Sequence, residues 1–167
     1  MQGIHDFQVL RTVHAPSGNG GTPFDDLASL PGGRTIVSIN RITGAFGLFW
    51  NTHAMTIQFF YILDNGEEWS PGPRGDAENL QYGAGFEITL SPGEIIESAK
   101  VLNADGQDLG GRIVSYVEFK IVNKPDGKKR TVDFGTKSSE FLESISLPGS
   151  IFACRGRAGM VIDSLQF

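Results

Sequence analysis

A carboxylate four residues beyond a glycine, in Gly159-Met160-Val161-Ile162-Asp163, is the pattern in this chain with the clearest chemical use. An ionised Asp only accepts hydrogen bonds, while backbone N–H groups in a bend beside it donate. Donors and an acceptor at one spot suit a ligand rich in hydroxyl groups, bound with no covalent bond made or broken. A second stretch, residues 15–26, holds Gly18, Gly20 and Gly21 between Pro16 and Pro23. With no side chains there, its backbone can approach another surface closely. It does not fit a phosphate cradle, because no Lys-Ser/Thr pair follows the glycines and Pro23 stands where a helix would have to begin.

Other chemistries find little support. His5, His14 and His53 show neither an H-E-x-x-H pattern nor a Cys partner at ligand spacing, so no metal or cofactor is expected. No G-x-S-x-G elbow is present. Asp25 and Asp26 resemble half of a glycosidase pair, but no second carboxylate can be assigned at the needed separation, and they adjoin Phe24. The expectation is a protein that is not an enzyme. Cys154 is the only cysteine and lies in an apolar run, so it reads as a small buried hydrophobe. Asp163 has a purely structural alternative, bonding the backbone of its own hairpin. Trp50, Trp69 and Tyr82 could stack on a ligand ring; core packing explains Trp50 at least as well, while Trp69 and Tyr82 fall in a long loop as rim candidates.

Composition narrows the partners. The chain has 167 residues, a formal charge of −5 and 40% hydrophobic residues, enough for a core. That charge speaks against nucleic acid, which demands a concentrated basic footprint. The one basic run, Lys128-Lys129-Arg130, reads as a solvated hairpin tip. Nothing approaches a membrane-spanning stretch, so no membrane insertion is expected. The first residues lack a basic start and an apolar run, which reads as cytoplasmic; a mature secreted form or non-classical export leaves the same trace.

The elements that must position Asp163 are short strands. Twenty-two glycines and twelve phenylalanines, with prolines between short apolar runs, favour an all-β class. The chain also repeats itself. Leu30-Pro31-Gly32, Leu90-Ser91-Pro92-Gly93 and Leu147-Pro148-Gly149 each precede an apolar strand, at residues 35–40, 94–98 and 150–154. Each copy ends on a strand closing with apolar, polar, Phe: Ile57-Gln58-Phe59, Val117-Glu118-Phe119 and Leu165-Gln166-Phe167. Further strands are expected at residues 7–13, 60–63 and 119–122, with 86–90 and 130–134 as the returns of the last two. The long loop covers residues 67–85, and residues 138–143 form a loop or one helical turn. In the last copy a turn over residues 155–159 is expected, with Gly156 and Gly159 supplying positive φ. About four strands per copy give three Greek-key sheets whose Phe-rich faces meet on a common axis.

Residues 18–26, 88–96 and 156–164 together resemble the jacalin-related lectins, in that family's order and over nearly the whole chain. The resemblance implies a β-prism I fold: all-β, three four-stranded Greek-key sheets with pseudo-threefold symmetry. It implies one jacalin-like lectin domain over residues 1–167, with 1–14 as an N-terminal strand or extension. It also implies reversible carbohydrate binding through the backbone N–H of Gly21, those of Met160 and Val161, and the carboxylate of Asp163. Mannose-binding members carry Asp where this chain has Met160, and galactose-binding members an aromatic residue. The backbone donor survives that difference, and a side-chain contact does not. The positions of the other two copies that match Asp163 hold Met55 and Ser115, which implies one site per chain. Galactose-preferring members are cut before the position of Thr22; no such sign here favours mannose- or glucose-type glycans, with galactose as the alternative. A homodimer or larger assembly is expected, because one weak site gains from multivalency. The rival reading is a β-prism interaction module whose sugar site has decayed.

Overall fold

The computed structural model describes residues 20–106, 111–137, 144–146, 151 and 153–167. They form β1 (Thr22–Asp25), β2 (Ile36–Phe49), β3 (Thr52–Leu63), β4 (Glu68–Trp69), β5 (Gln81–Thr89), β6 (Glu94–Gly106), β7 (Gly111–Asn123), β8 (Lys129–Gly135), β9 (Ser144–Ser146), β10 (Arg155–Ala158) and β11 (Ile162–Gln166). A single 3-10 turn, Ala77–Asn79, precedes β5. All pairings are antiparallel, in sheets ordered β4-β3-β2-β5, β8-β7-β6-β9 and β1-β10-β11. In the first two, three strands joined in succession are followed by a fourth that returns beside the first, which is a Greek key. The third sheet has three strands among the described residues, where the repeat pattern predicts four. The strand expected at residues 7–13, the helical turn at 138–143 and Leu147-Pro148-Gly149 lie outside the described residues.

The strands are longer than alternation alone predicts. In β2 the inward residues Ile36, Ile39 and Ile42 are spaced by three, not two. Register shifts between Ile36 and Ser38 and between Ile39 and Arg41 explain the spacing, since each bulge inserts one residue and flips the alternation. The same device in β6 separates Ile96 from Ala99. Residues 60–63, expected as a separate strand, continue β3. Their return strand is β4, through a tight turn at Gly66 (φ 82°) closed by the Leu63 N–H donating to the Glu67 carbonyl at 2.9 Å. Of the segment expected to pair with them, residues 86–90, all but Leu90 belongs instead to β5 and pairs with β2, Phe86 opposite Gly44. The long loop therefore shrinks at both ends, losing 68–69 to β4 and 81–85 to β5. Trp50 and Asn51, at φ 46° and 66°, join β2 to β3 in a two-residue turn with left-handed backbone at both positions.

The repeated Phe endings converge at the core. Ring centroids of Phe59, Phe119 and Phe167 lie 6.3, 6.1 and 5.7 Å apart pairwise, every pair edge-to-face. One ring comes from each copy, so the three sheets meet on a shared aromatic axis in the geometry that aromatic quadrupoles favour. Phe86 of β5 stacks on Phe134 of β8 at 3.8 Å and seals the seam between the two four-stranded sheets.

Candidate functional site

The glycine bend and the terminal Asp meet at one end of the three-stranded sheet. β10 is its central strand, with Thr22 opposite Ala158 on one side and Arg155 opposite Gln166 on the other. Pairing on both edges draws residues 155–158 into an extended strand, so the turn expected over 155–159 falls later, at 159–161, where the Gly159 N–H donates to the Val161 carbonyl at 2.9 Å. Neither Gly156 nor Gly159 has positive φ. The β10–β11 register then slips: Arg157 faces Ser164 and Ala158 faces Ile162, which leaves Asp163 as the extra residue of a bulge. A bulge re-aims a side chain, and here it leaves the Asp163 carboxylate half-buried between two fully buried neighbours, Ile162 and Ser164.

Gly21 sits directly before β1 at φ 61°. A Cβ built on it would stand 2.6 Å from both Oδ2 of Asp163 and the Ala158 carbonyl oxygen, and one on Gly20 would run into Oδ1 of the same carboxylate. Gly21 is therefore required by contact as well as by φ, and Gly20 by its contact with the carboxylate. Met160 is 53% exposed at the apex of the turn, while Val161 is buried against Phe49, Ala54, Leu80 and Ile113. Among the described residues nothing accepts from the backbone N–H groups of Met160 and Val161, whereas the Met160 carbonyl is taken by the Asp76 N–H at 2.9 Å. All four residues singled out by the resemblance, Gly21, Met160, Val161 and Asp163, thus lie around one bend.

Burial raises the Asp163 carboxyl above its ordinary pKa; the Arg157 guanidinium and the residue's own N–H pull it back down. Sequence reasoning missed Arg157. Its Nε donates to the Gly20 carbonyl at 2.9 Å and its Nη2 to the Gly21 carbonyl at 2.8 Å. Its partners are 137 and 136 positions away in the chain, so no local pattern announces it.

Two aromatic expectations are settled by burial. Of the two readings of Trp50, core packing fails: the side chain is 58% exposed, because its turn position turns it outward onto the face of Phe49. Trp69, a rim candidate, belongs to β4 and stacks on buried Tyr61 at 5.9 Å. Tyr82 is exposed, as a rim residue would be. Phe49 and Leu80, close in sequence to Trp50 and Tyr82, share the small apolar cluster of Val161, so Trp50 and Tyr82 flank the same end of the molecule.

The remaining candidates are occupied structurally. Asp26 is buried, taking Nη2 of Arg74 at 2.6 Å, the Tyr61 hydroxyl and the Cys154 thiol. Arg74 also covers the ring of Phe24 at 4.4 Å. Desolvation pushes both Tyr61 and Cys154 far above their ordinary pKa values, so each stays protonated. Asp25 caps its own turn by accepting from the Leu27 and Ala28 N–H groups. Met55 and Ser115, the counterparts of Asp163, are buried. Among the described residues no three His, Cys, Asp or Glu side chains group as metal ligands, and no helix is long and apolar enough to cross a membrane. His53 Nδ1 lies 3.2 Å from the Thr136 hydroxyl; His5 and His14 are outside the described residues.

No protein-family model and no curated protein sequence matches the chain. Solved structures do. A mannose-binding jacalin-related lectin from Ananas comosus superposes with TM-score 0.66 at 21% identity, over 93% of this chain and 94% of that one. A point variant of Malaysian banana lectin gives 0.63 at 20% over the same shares. Calystegia sepium agglutinin gives 0.62 at 17%, over 95% and 96%. Three antiparallel sheets around an aromatic axis, matched to these structures almost end to end, give this chain the β-prism fold of the jacalin-related lectins.

Proposed function

We propose that this protein is a lectin that binds glycans reversibly and without catalysis, through one site per chain at the Gly21–Asp163 bend. The observation that carries the reading is the convergence of Gly20 and Gly21 on the Asp163 carboxylate, beside the N–H groups of Met160 and Val161. Vicinal sugar hydroxyls both donate and accept, and Asp163 would accept two of them while the bend's N–H groups donate to sugar oxygens. The similar lectin from Ananas comosus is described as mannose-binding, which supports a mannose- or glucose-type ligand.

Hydrogen bonds to a charged group contribute about 1.5–3 kcal/mol each and neutral ones about 0.5–1.5. After the loss of translational and rotational freedom, a net near −4 kcal/mol, or roughly millimolar, is expected for a monosaccharide. Biological avidity then requires several sites at once, hence a homodimer or larger assembly. A glycan array probed with multivalent protein tests the reading: signal on mannose- or glucose-terminated glycans, abolished by Asp163→Ala with the fold intact, supports it. Signal confined to galactose-terminated glycans corrects the specificity alone. An empty array favours the interaction-module reading, which the exposed Trp50, Tyr82 and Met160 side chains at this end would suit.

A further inference from the structure

We infer that Arg157 is the positioning residue of this site: by gripping the Gly20 and Gly21 carbonyls it aims the Gly21 N–H at the ligand, without itself contacting sugar. The inference rests on the lectin reading and extends it to a residue to which the resemblance gives no role.

In a trans peptide the C=O of one residue and the N–H of the next point in opposite directions within one plane. Donation from Arg157 Nε to the Gly20 carbonyl therefore fixes where the Gly21 N–H points. The second bond, from Nη2 to the Gly21 carbonyl, fixes the following plane and with it the left-handed bend at Gly21. The regular β1 pairing begins only at Thr22, so it does not hold the Gly20–Gly21 peptide in place. Two adjacent glycines are the most freely rotating dipeptide a chain can contain. A rigid guanidinium fork suits two successive carbonyls as an ammonium point charge does not.

The charge has a second effect. The Asp163 carboxylate packs so close to the bend that a Cβ on Gly20 or Gly21 would run into its oxygens. Arg157 is the one charged side chain acting on Asp163 among the described residues. From the neighbouring loop, Asp76 turns its carboxylate back to the Glu78 N–H. On β1, Thr22 and Pro23 are uncharged, and Asp25 faces its own turn. On β11, Ser164 and Gln166 are uncharged.

The test compares wild type with Arg157→Lys and Arg157→Gln by NMR: the Gly21 amide resonance and the Asp163 carboxyl titration without sugar, then titration with methyl α-mannoside. Circular dichroism and Tm establish that each variant is folded. The Lys variant should weaken binding about tenfold or more, shift the Gly21 amide and leave the Asp163 midpoint near its wild-type value. The Gln variant should weaken binding similarly and also move the Asp163 midpoint upward. Wild-type behaviour in both variants overturns the inference. So does lost binding with an unmoved Gly21 amide and an unmoved carboxyl, which would make Arg157 a direct ligand contact. If wild type binds none of the sugars on the array, the lectin reading fails, and the hold of Arg157 on the bend is decided by the two sugar-free readouts alone.

Discussion

At the scale of single residues, the site joins opposed demands on Asp163. Its carboxyl is raised by burial, so in the folded protein protonation is favoured and the ionised form carries a cost above the folded pKa. That stability deficit appears as pH rises through the folded pKa and vanishes below the unfolded one, near 4. Asp163→Asn should therefore raise Tm slightly at neutral pH, lose that advantage in acid and abolish glycan binding; melting curves at two pH values check it. Binding by the wild type should fall as pH drops and the carboxyl, raised from its ordinary value by burial, takes up its proton, measurable by calorimetry across a pH series. Gly21→Ala places a Cβ against two oxygens at positive φ, so it should cost at least about 1 kcal/mol in denaturant melts and lose retention on sugar resin. From spacing alone only the Gly159…Asp163 pattern was legible; Gly21, Met160 and Val161 came into view through the resemblance to the jacalin-related lectins, and the structure places all four around one bend. Arg157 was legible in neither way, since a clamp across the chain leaves no mark in the residues beside it.

At the scale of elements, loops hold the site as much as strands do. Arg74 exchanges both backbone hydrogen bonds with Ile57 of β3 while its guanidinium reaches Asp26, just after β1. Two residues on, the Asp76 N–H secures the Met160 carbonyl, so the anchored loop braces the turn above Val161. Asp26→Ala leaves a largely buried guanidinium and a buried phenol without their acceptor and should destabilise by about 3–5 kcal/mol, read from urea midpoints. The hairpin at Gly66 was legible from Asp64-Asn65-Gly66. The extents of β2 and β6 were not, because bulges shift the spacing of buried residues from two to three. The turn between β2 and β3 was hidden for another reason: Trp50 and Asn51 adopt a backbone that sequence signals reserve for Asn-Gly or Asp-Gly.

At the scale of the whole molecule, the three Phe endings were the most legible feature, since a repeated period-2 ending requires a repeated inward ring. Their convergence makes Phe119 a keystone shared by all three sheets; Phe119→Ala should cost about 3–5 kcal/mol and lower the unfolding midpoint as one cooperative transition. What sequence could not supply was which strands pair within a copy, such as β5 with β2, because edge choice depends on how closely each preceding hairpin returns. The enclosed sulfur of Cys154 has a practical corollary. The chain's only thiol is fully covered and held protonated, so thiol-directed reagents find nothing to modify on the native protein. A single cysteine engineered on an outward strand face could thus carry a dye or a biotin at one defined address, giving tethered arrays of chosen valency.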